Sequence, residues 1–146
     1  MKKHLFAICA LPLLISCASG GSSNNAPPVV IEVRPVGLVP DVLYFPGPIG
    51  LQFAVAVSNP TNEPVTMESL NLQSVGPGAF NVRSGSVPVN RTIAPGQTTT
   101  FTVSTWGYAR GGSLRAEEPV TLRATGAFRS PSHHSFIKMV NENLTP

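Results

Sequence analysis

Cysteine is nearly absent from this sequence of 146 residues, which has only Cys9 and Cys17. From residue 18 onward there is no thiol, which excludes disulfide bonds, thiol catalysis and cysteine-ligated metal sites from that part of the chain. The stability of a folded domain there must therefore come from packing.

Charged side chains are also scarce, at 12% of the residues. The formal net charge is +3, but two of the ten basic side chains, Lys2 and Lys3, lie at the very N-terminus. The rest of the sequence has eight basic side chains and seven acidic ones. A remaining charge of +1 provides no basic field for a polyanion, so we expect no nucleic acid partner.

Long hydrophobic runs are missing as well. The longest, Leu5 to Ile15, has about ten residues, whereas a helix that spans a hydrocarbon core needs roughly 20. The run follows the basic start Met1-Lys2-Lys3-His4 and ends just before Cys17, which is the organisation of an export signal.

The residues at the end of this run, Leu14-Ile15-Ser16-Cys17, resemble the lipobox of bacterial lipoproteins. The resemblance implies removal of residues 1–16 as a signal peptide, and a lipid anchor on the Cys17 sulfur that palmitate would label. Ala18, where inner-membrane lipoproteins have aspartate, resembles the class sent to the outer membrane. We therefore expect an outer-membrane lipid anchor that faces the periplasm or the surface, and two or more acyl chains would make it durable. The alternative is an ordinary cleavage site with Cys17 as its small residue.

After the cysteine comes a stretch of small, polar and proline residues that ends at Pro28. Such a composition buries little apolar surface, so residues 17–28 are predicted to be the lipidated cysteine and a flexible tether, which could reach roughly 35 Å when extended. Residues 29–146 then have the usual size of one domain.

Within residues 29–146, apolar and polar residues alternate with period two, and no helical period extends beyond two turns. Leu51–Ser58 and Val120–Arg129 show the alternation best. A bulge near Glu68-Ser69 would reconcile an apolar pattern that slips by one residue there. Leu38–Phe45 carries Pro40 and is expected to be an edge strand or irregular.

Proline and glycine turns separate these segments at residues 59–64, 76–78 and 94–97. About seven to nine short strands separated in this way predict an all-β fold, an immunoglobulin-like antiparallel β-sandwich over residues 29–146. An up-and-down barrel is the alternative, although so short a set of strands closes poorly.

Three stretches resemble the immunoglobulin-like sandwich of type 2 late embryogenesis abundant (WHy) domains and related bacterial lipoproteins: residues 51–72, 93–103 and 119–126. In that family a strand ends in an Asn-Pro turn, here Asn59-Pro60, and the next strand pairs back. The resemblance covers roughly residues 30–140. It implies no catalytic residues, and it implies roles in stress protection and in contacts with membranes or apolar molecules.

Catalytic and metal-binding patterns are not found. Gly111–Arg115 lacks the last glycine of a nucleophile elbow and is predicted to be a glycine-rich hairpin loop. His133 and His134 point to opposite faces of an extended chain and cannot easily share an ion. We expect no enzyme, no cofactor and no metal, although a pocket that grouped His134, Glu117 and Ser113 would reopen the question of catalysis.

Two segments are candidates for binding. Residues 106–118 carry residue types that dominate binding hot spots, in a predicted loop at the end of the sandwich: Trp106, Tyr108, Arg110 and Arg115. The alternative is that Trp106 belongs to the core or plugs the end of a strand. Residues 39–46 are apolar but poorly patterned, and form either an exposed patch for a partner or membrane or a buried edge segment.

The sequence thus favours a non-enzymatic, lipid-anchored envelope lipoprotein that acts as a protein-binding or structural module with an envelope protein as partner. The alternative is a carrier or chaperone that holds an apolar ligand between the layers of the sandwich. That alternative requires an interior cavity of several hundred cubic ångströms.

Overall fold

The computed structural model describes residues 26–37, 40–83 and 85–146. The predicted signal peptide, Cys17 and most of the predicted tether lie outside the described residues. The described residues form eight strands and two short helices: β1 (Val30–Val36), α1 (Pro40–Leu43), β2 (Gly47–Ser58), β3 (Val65–Ser74), β4 (Phe80–Val82), β5 (Gly85–Ile93), β6 (Thr98–Ala109), α2 (Ser113–Ala116), β7 (Val120–Ser130) and β8 (His134–Leu144).

The strands form two four-stranded sheets, with the order β1-β2-β6-β4 in sheet A and β5-β3-β7-β8 in sheet B. Every neighbouring pair is antiparallel. The orders β1-β2-β6-β4 and β3-β7-β8 match strands A-B-E-D and C-F-G of the immunoglobulin fold, and β5 is added beside β3. The predicted antiparallel sandwich of seven to nine strands is confirmed, and the barrel alternative is wrong because two separate sheets form.

Period-two alternation builds the core between the sheets. The inward residues of β2 are all buried, while their neighbours on the strand are more exposed. The largest fully buried side chains include Phe53 from β2 and Phe80 from β4, both in sheet A, and Phe128 from β7 in sheet B. Gly126 leaves room for the Phe128 ring, because a Cβ at residue 126 would lie 2.5 Å from Cε2 of Phe128. The core is one continuous apolar cluster.

The predicted bulge in β3 is confirmed. Met67 of β3 is paired with Phe128 of β7, and Ser69 of β3 is paired with the adjacent Ala127 of β7, so Glu68 is the extra residue. The register of β3 with β5 shifts at the same point. The bulge turns the apolar residues on both sides of it toward the core, which explains the slip in the sequence pattern.

Two connections differ from expectation. Residues 38–45 were expected to be an edge strand or irregular, and the described residues 40–45 form α1 and a bend. Pro40 is tolerated because the first residue of a helix needs no N–H. Residues 110–119 are not a hairpin, since they run from β6 in sheet A to β7 in sheet B and include α2. A hairpin pairs two strands of one sheet, and these two strands belong to different sheets.

Asn59 links two turns at the end of the sandwich where β1 begins, called here the N-terminal end. Its side chain is 1% exposed. Nδ2 donates hydrogen bonds to the carbonyl oxygens of Glu63, Ile93 and Ala94 at 2.8, 3.0 and 3.3 Å. Oδ1 accepts from the backbone N and Oγ1 of Thr61 at 3.1 and 2.6 Å. The Asn-Pro turn thus fastens the β2–β3 connection to the β5–β6 connection.

Candidate functional site

The opposite end of the sandwich, called here the distal end, consists of α1, α2 and the adjoining residues 44–46 and 110–112. The backbone N of Gly112 donates a hydrogen bond of 2.8 Å to the carbonyl of Tyr44. Gly111, with a φ of 71°, lies so close to Pro46 that a Cβ would be 2.7 Å from the proline nitrogen. These contacts bring together the two segments that the sequence singled out as binding candidates.

The distal end exposes large apolar side chains. Leu43 and Ala116 are buried beneath it, but the side chains of Phe45 and Leu114 are 74% and 84% exposed. Val42 and Tyr44 are exposed beside them. Residues 39–46 were expected to be either an exposed patch or a buried edge segment. For the described residues other than Leu43, the exposed patch is therefore correct. Large apolar side chains grouped at the surface are typical of an interaction site.

Trp106 and Tyr108 lie in β6 and not in a loop. Their side chains are 71% and 56% exposed, so the placement of Trp106 in the core or as a strand-end plug is wrong. The physical reason is the period of the strand: Val103 and Ala109 point inward, and residues at an odd spacing from them point to the outer face of sheet A.

The two arginines of the candidate set occupy different places. Arg110 is half-buried just after β6, and its Nη2 donates to Oδ1 of Asn81 at 3.2 Å. Since Asn81 is paired with Tyr108, Arg110 lies at the border of the same outer face. Arg115 is exposed on α2 and belongs to the distal end. The structure thus places Trp106 and Tyr108 on the outer face, with Arg110 at its border.

A groove runs beside Trp106 on the outer face of sheet A. Its volume is about 320 Å³, and its lining comes from β1, β2 and β6: Val36, Gly37, Gly50, Leu51, Gln52, Ser104, Thr105 and Trp106. Sequence reasoning missed Gly50 and Gln52, because only the register of β2 with β6 places them opposite Trp106 and Ser104. It also missed Leu114 as a member of the distal end.

A polar cluster lies at the N-terminal end. Oε1 of Glu63 accepts a hydrogen bond of 2.5 Å from the Ser132 hydroxyl and lies 3.4 Å from Nδ1 of His133. The Ser132 hydroxyl, together with bonding from Ser130 and His133, lowers the pKa of Glu63 from 4.5 to about 2, against the opposing effect of burial. The Ser132 hydroxyl also lies 2.8 Å from the same Nδ1. One histidine nitrogen contacts both groups, so the imidazole does not relay a proton between serine and carboxylate as in a hydrolase triad.

Acidification is expected to weaken this end of the sandwich. Because the pKa of Glu63 is about 2 in the fold and 4.5 ordinarily, its carboxylate stabilises the fold above about pH 4.5. That contribution is lost as the pH falls toward 2. Urea unfolding of Glu63→Gln at several pH values in this window should show a flatter dependence of stability on pH than the wild type. Glu117→Gln, at the distal end, is the control and should keep the wild-type slope; equal slopes for all three proteins would contradict the assignment.

His134, Glu117 and Ser113, which would suggest catalysis if they shared a pocket, are far apart. Ser113 and Glu117 lie at the distal end, just before β7 begins, whereas His134 follows the other end of that strand. A strand of 11 residues separates the two places by roughly 35 Å. Within residues 26–37, 40–83 and 85–146, no three side chains of the histidine, cysteine, aspartate and glutamate types are grouped as metal ligands.

No helix among the described residues has the length and apolar character required to cross a bilayer.

No protein-family model matches this sequence, and no curated protein matches it. Among solved structures, the chain is similar to a protein described as ApaA from Bordetella pertussis, with 17% identity over 80% of this chain and 90% of that one and a TM-score of 0.49. It is similar to a protein described as late embryogenesis abundant, with 13% identity over 78% and 68% of the two chains and a TM-score of 0.49. A third similar structure is the yeast GGA1 GAE domain, with 12% identity over 81% and 91% and a TM-score of 0.48.

Proposed function

We propose that this protein is a non-enzymatic envelope module, held at a membrane through lipid on Cys17, that binds a partner protein through its distal end. The observation that carries the proposal is the exposure of Phe45 and Leu114 at 74% and 84%. Burial of a side chain of this kind contributes about 1.5–3 kcal/mol, so these two residues can supply the central contacts of an interface.

The direction of the chain supports a partner away from the anchor. Val30 begins β1 opposite Ser58, at the end of β2 that is farthest from α1. The 12 residues of β2 put roughly 36 Å between the two ends. A lipid attached before residue 26 would thus hold the domain by its N-terminal end, and the exposed apolar side chains at the other end would remain accessible to a partner.

The charges at the distal end favour a protein over a lipid surface. Asp41 lies on α1, and Glu117 and Glu118 follow α2, so the carboxylates of the distal end outnumber its two arginines, Arg110 and Arg115, by three to two. Carboxylates are repelled by an anionic lipid surface, which attracts lysine and arginine instead. A partner with an apolar pocket and a basic rim fits this end.

Among the described residues, the edges of both sheets disfavour pairing with a strand of a partner protein. The edge strand β5 contains Pro88, and Lys138 lies half-buried on the inward face of the edge strand β8. Strand β4 has three residues, and β1 packs against β8. Proline, inward charge and short length all hinder edge-to-edge pairing. Side chains at the distal end are therefore the better route to a partner.

The carrier alternative gains no support, because the buried apolar side chains of the described residues form one continuous cluster between the two sheets. A carrier of this kind needs an interior cavity for its ligand, so we do not propose it.

Site-specific photocrosslinking in cells tests the proposal. A photoreactive residue at Leu114 of the full-length protein is expected to give one discrete adduct, and Phe45→Asp should reduce its yield by about tenfold or more, because a desolvated carboxylate would replace an apolar contact. The photoreactive residue at Ile137 is the matched control, since this side chain is also apolar and exposed but lies on sheet B. Equal adducts at both positions, or an adduct at Leu114 that Phe45→Asp leaves unchanged, would contradict the proposal.

A further inference from the structure

The groove beside Trp106 is separate from the distal end and has its own chemistry. Gly50 is paired with Trp106 across β2 and β6, and a Cβ at Gly50 would meet nothing within 4 Å. The missing side chain opens a trough of about 320 Å³, near the lower end of the roughly 300–1,000 Å³ that is typical of ligand pockets. The Trp106 ring, 71% exposed, borders this trough.

Exposure of this tryptophan is unusual for the strand that carries it. The other outward residues of β6 on its N-terminal side are threonine or serine: Thr98, Thr100, Thr102 and Ser104. These small hydroxyl side chains suit a solvated sheet face, whereas a large exposed indole gains nothing from water and invites association. An indole beside an empty trough therefore indicates a ligand that packs against the ring.

The lining of the groove favours an uncharged ligand group beside Trp106. None of the groove residues is ionisable, so a phosphate or a carboxylate would find no cation in the groove. Polar partners come from the Gln52 amide and the Ser104 hydroxyl, which point to the outer face and both donate and accept hydrogen bonds. Apolar contact comes from Val36 and Trp106, since the Leu51 side chain is 1% exposed and belongs to the core. An acyl chain would leave the amide and the hydroxyl without partners, at a cost for each group that is buried.

We propose that this groove binds a neutral glycan, with a sugar ring stacked on Trp106. A pyranose ring has C–H groups on a flat face, which pack on an aromatic ring, and hydroxyls around its edge, which both donate and accept hydrogen bonds as Gln52 and Ser104 do. Tyr108 lies two residues along the same face, about 6.7 Å away, and offers a second aromatic ring for the next sugar. The ligand class is thus a neutral oligosaccharide or polysaccharide chain.

Trp106 is the only tryptophan in the sequence, so tryptophan fluorescence, excited selectively over that of the two tyrosines, reports on this groove alone. The probes are neutral chito-, cello- and malto-oligosaccharides, with an oligogalacturonate as the charged comparison. At least one neutral oligosaccharide is expected to shift the emission of Trp106 to the blue and to protect it from acrylamide quenching. The oligogalacturonate is expected to do neither.

Gly50→Val fills the trough and keeps the tryptophan reporter, and it should weaken the binding by at least about tenfold. Gly85→Val is the matched control, because Gly85 is exposed on β5 in sheet B and a Cβ there meets nothing nearer than 4.0 Å. Its response should equal that of the wild type. No response to any neutral oligosaccharide, a response to the charged one alone, or equal binding by Gly50→Val would overturn the proposal. Crosslinking at Leu114 is independent of each of these outcomes.

Discussion

Asn59→Asp is expected to destabilise the fold by about 3–5 kcal/mol, a large part of the 5–15 kcal/mol that is typical of a domain. The aspartate has no N–H donor for the three backbone carbonyl oxygens that lie 2.8–3.3 Å from Nδ2. A carboxylate oxygen would face these carbonyls at a site that is 1% exposed, where water cannot compensate. The midpoint and slope of urea unfolding at neutral pH measure the change.

Asn62→Asp is the matched control for this change. Asn62 lies in the same turn but is exposed, so the same chemical substitution should alter stability by no more than about 0.5 kcal/mol. The backbone bonds of Asn59 with Gly96 and Gln97, at 2.8 and 2.9 Å, do not depend on its side chain and remain in both variants. Equal destabilisation by the two substitutions would show that the side-chain bonds of Asn59 do not hold the two turns together.

Strand positions could be predicted from the sequence because burial on one face of a strand is a local pattern. The alternation from Leu51 to Ser58 and the one-residue slip at Glu68-Ser69 are visible without knowledge of any partner strand, and both reappear in the structure. The pairing of strands is not local. The chain after Ala109 was taken for a hairpin because its glycines signal a turn, and nothing nearby in the sequence shows that β6 and β7 belong to different sheets.

The outward position of Trp106 was open to prediction but was not recognised. Trp106 and Val103 are separated by three residues, and an odd separation on a strand puts two side chains on opposite faces. Once Val103 is taken as core, Trp106 has to face outward, as the structure shows. Gly50 could not be found in this way, since its position opposite Trp106 follows from the register of two strands that are more than 50 residues apart.

The meeting of the two binding candidates was likewise beyond the sequence. Residues 39–46 and 106–118 were selected separately, one for an unpatterned apolar composition and the other for its aromatic and arginine residues. The hydrogen bond from Gly112 to Tyr44 and the close approach of Gly111 to Pro46 join the two segments in space. These contacts require a glycine at residue 111, because a side chain there would displace the proline.

Cys17→Ser is expected to abolish incorporation of radioactive palmitate and to release the protein from the membrane fraction or mis-sort it. A thioether to diacylglycerol requires the thiol, and without acyl chains the protein loses this attachment to the bilayer. The folded domain has no cysteine, so circular dichroism and urea unfolding should be unchanged. The adduct at Leu114 should become weaker if the anchor serves to concentrate the protein near its partner.

Cys9→Ser makes the same chemical change within the predicted signal peptide and should keep both the label and the membrane association. Comparison of the two variants distinguishes lipidation of the Cys17 sulfur from a general effect of losing a cysteine on export, because Cys9 and Cys17 are the only two cysteines. Mass spectrometry of the native protein gives an independent measurement. Palmitate retained by Cys17→Ser, or a native protein that begins at Met1 with an unmodified thiol at Cys17, would contradict the anchor. Because binding at the distal end depends on side chains and not on lipid, the Phe45→Asp effect on crosslinking would stand even then.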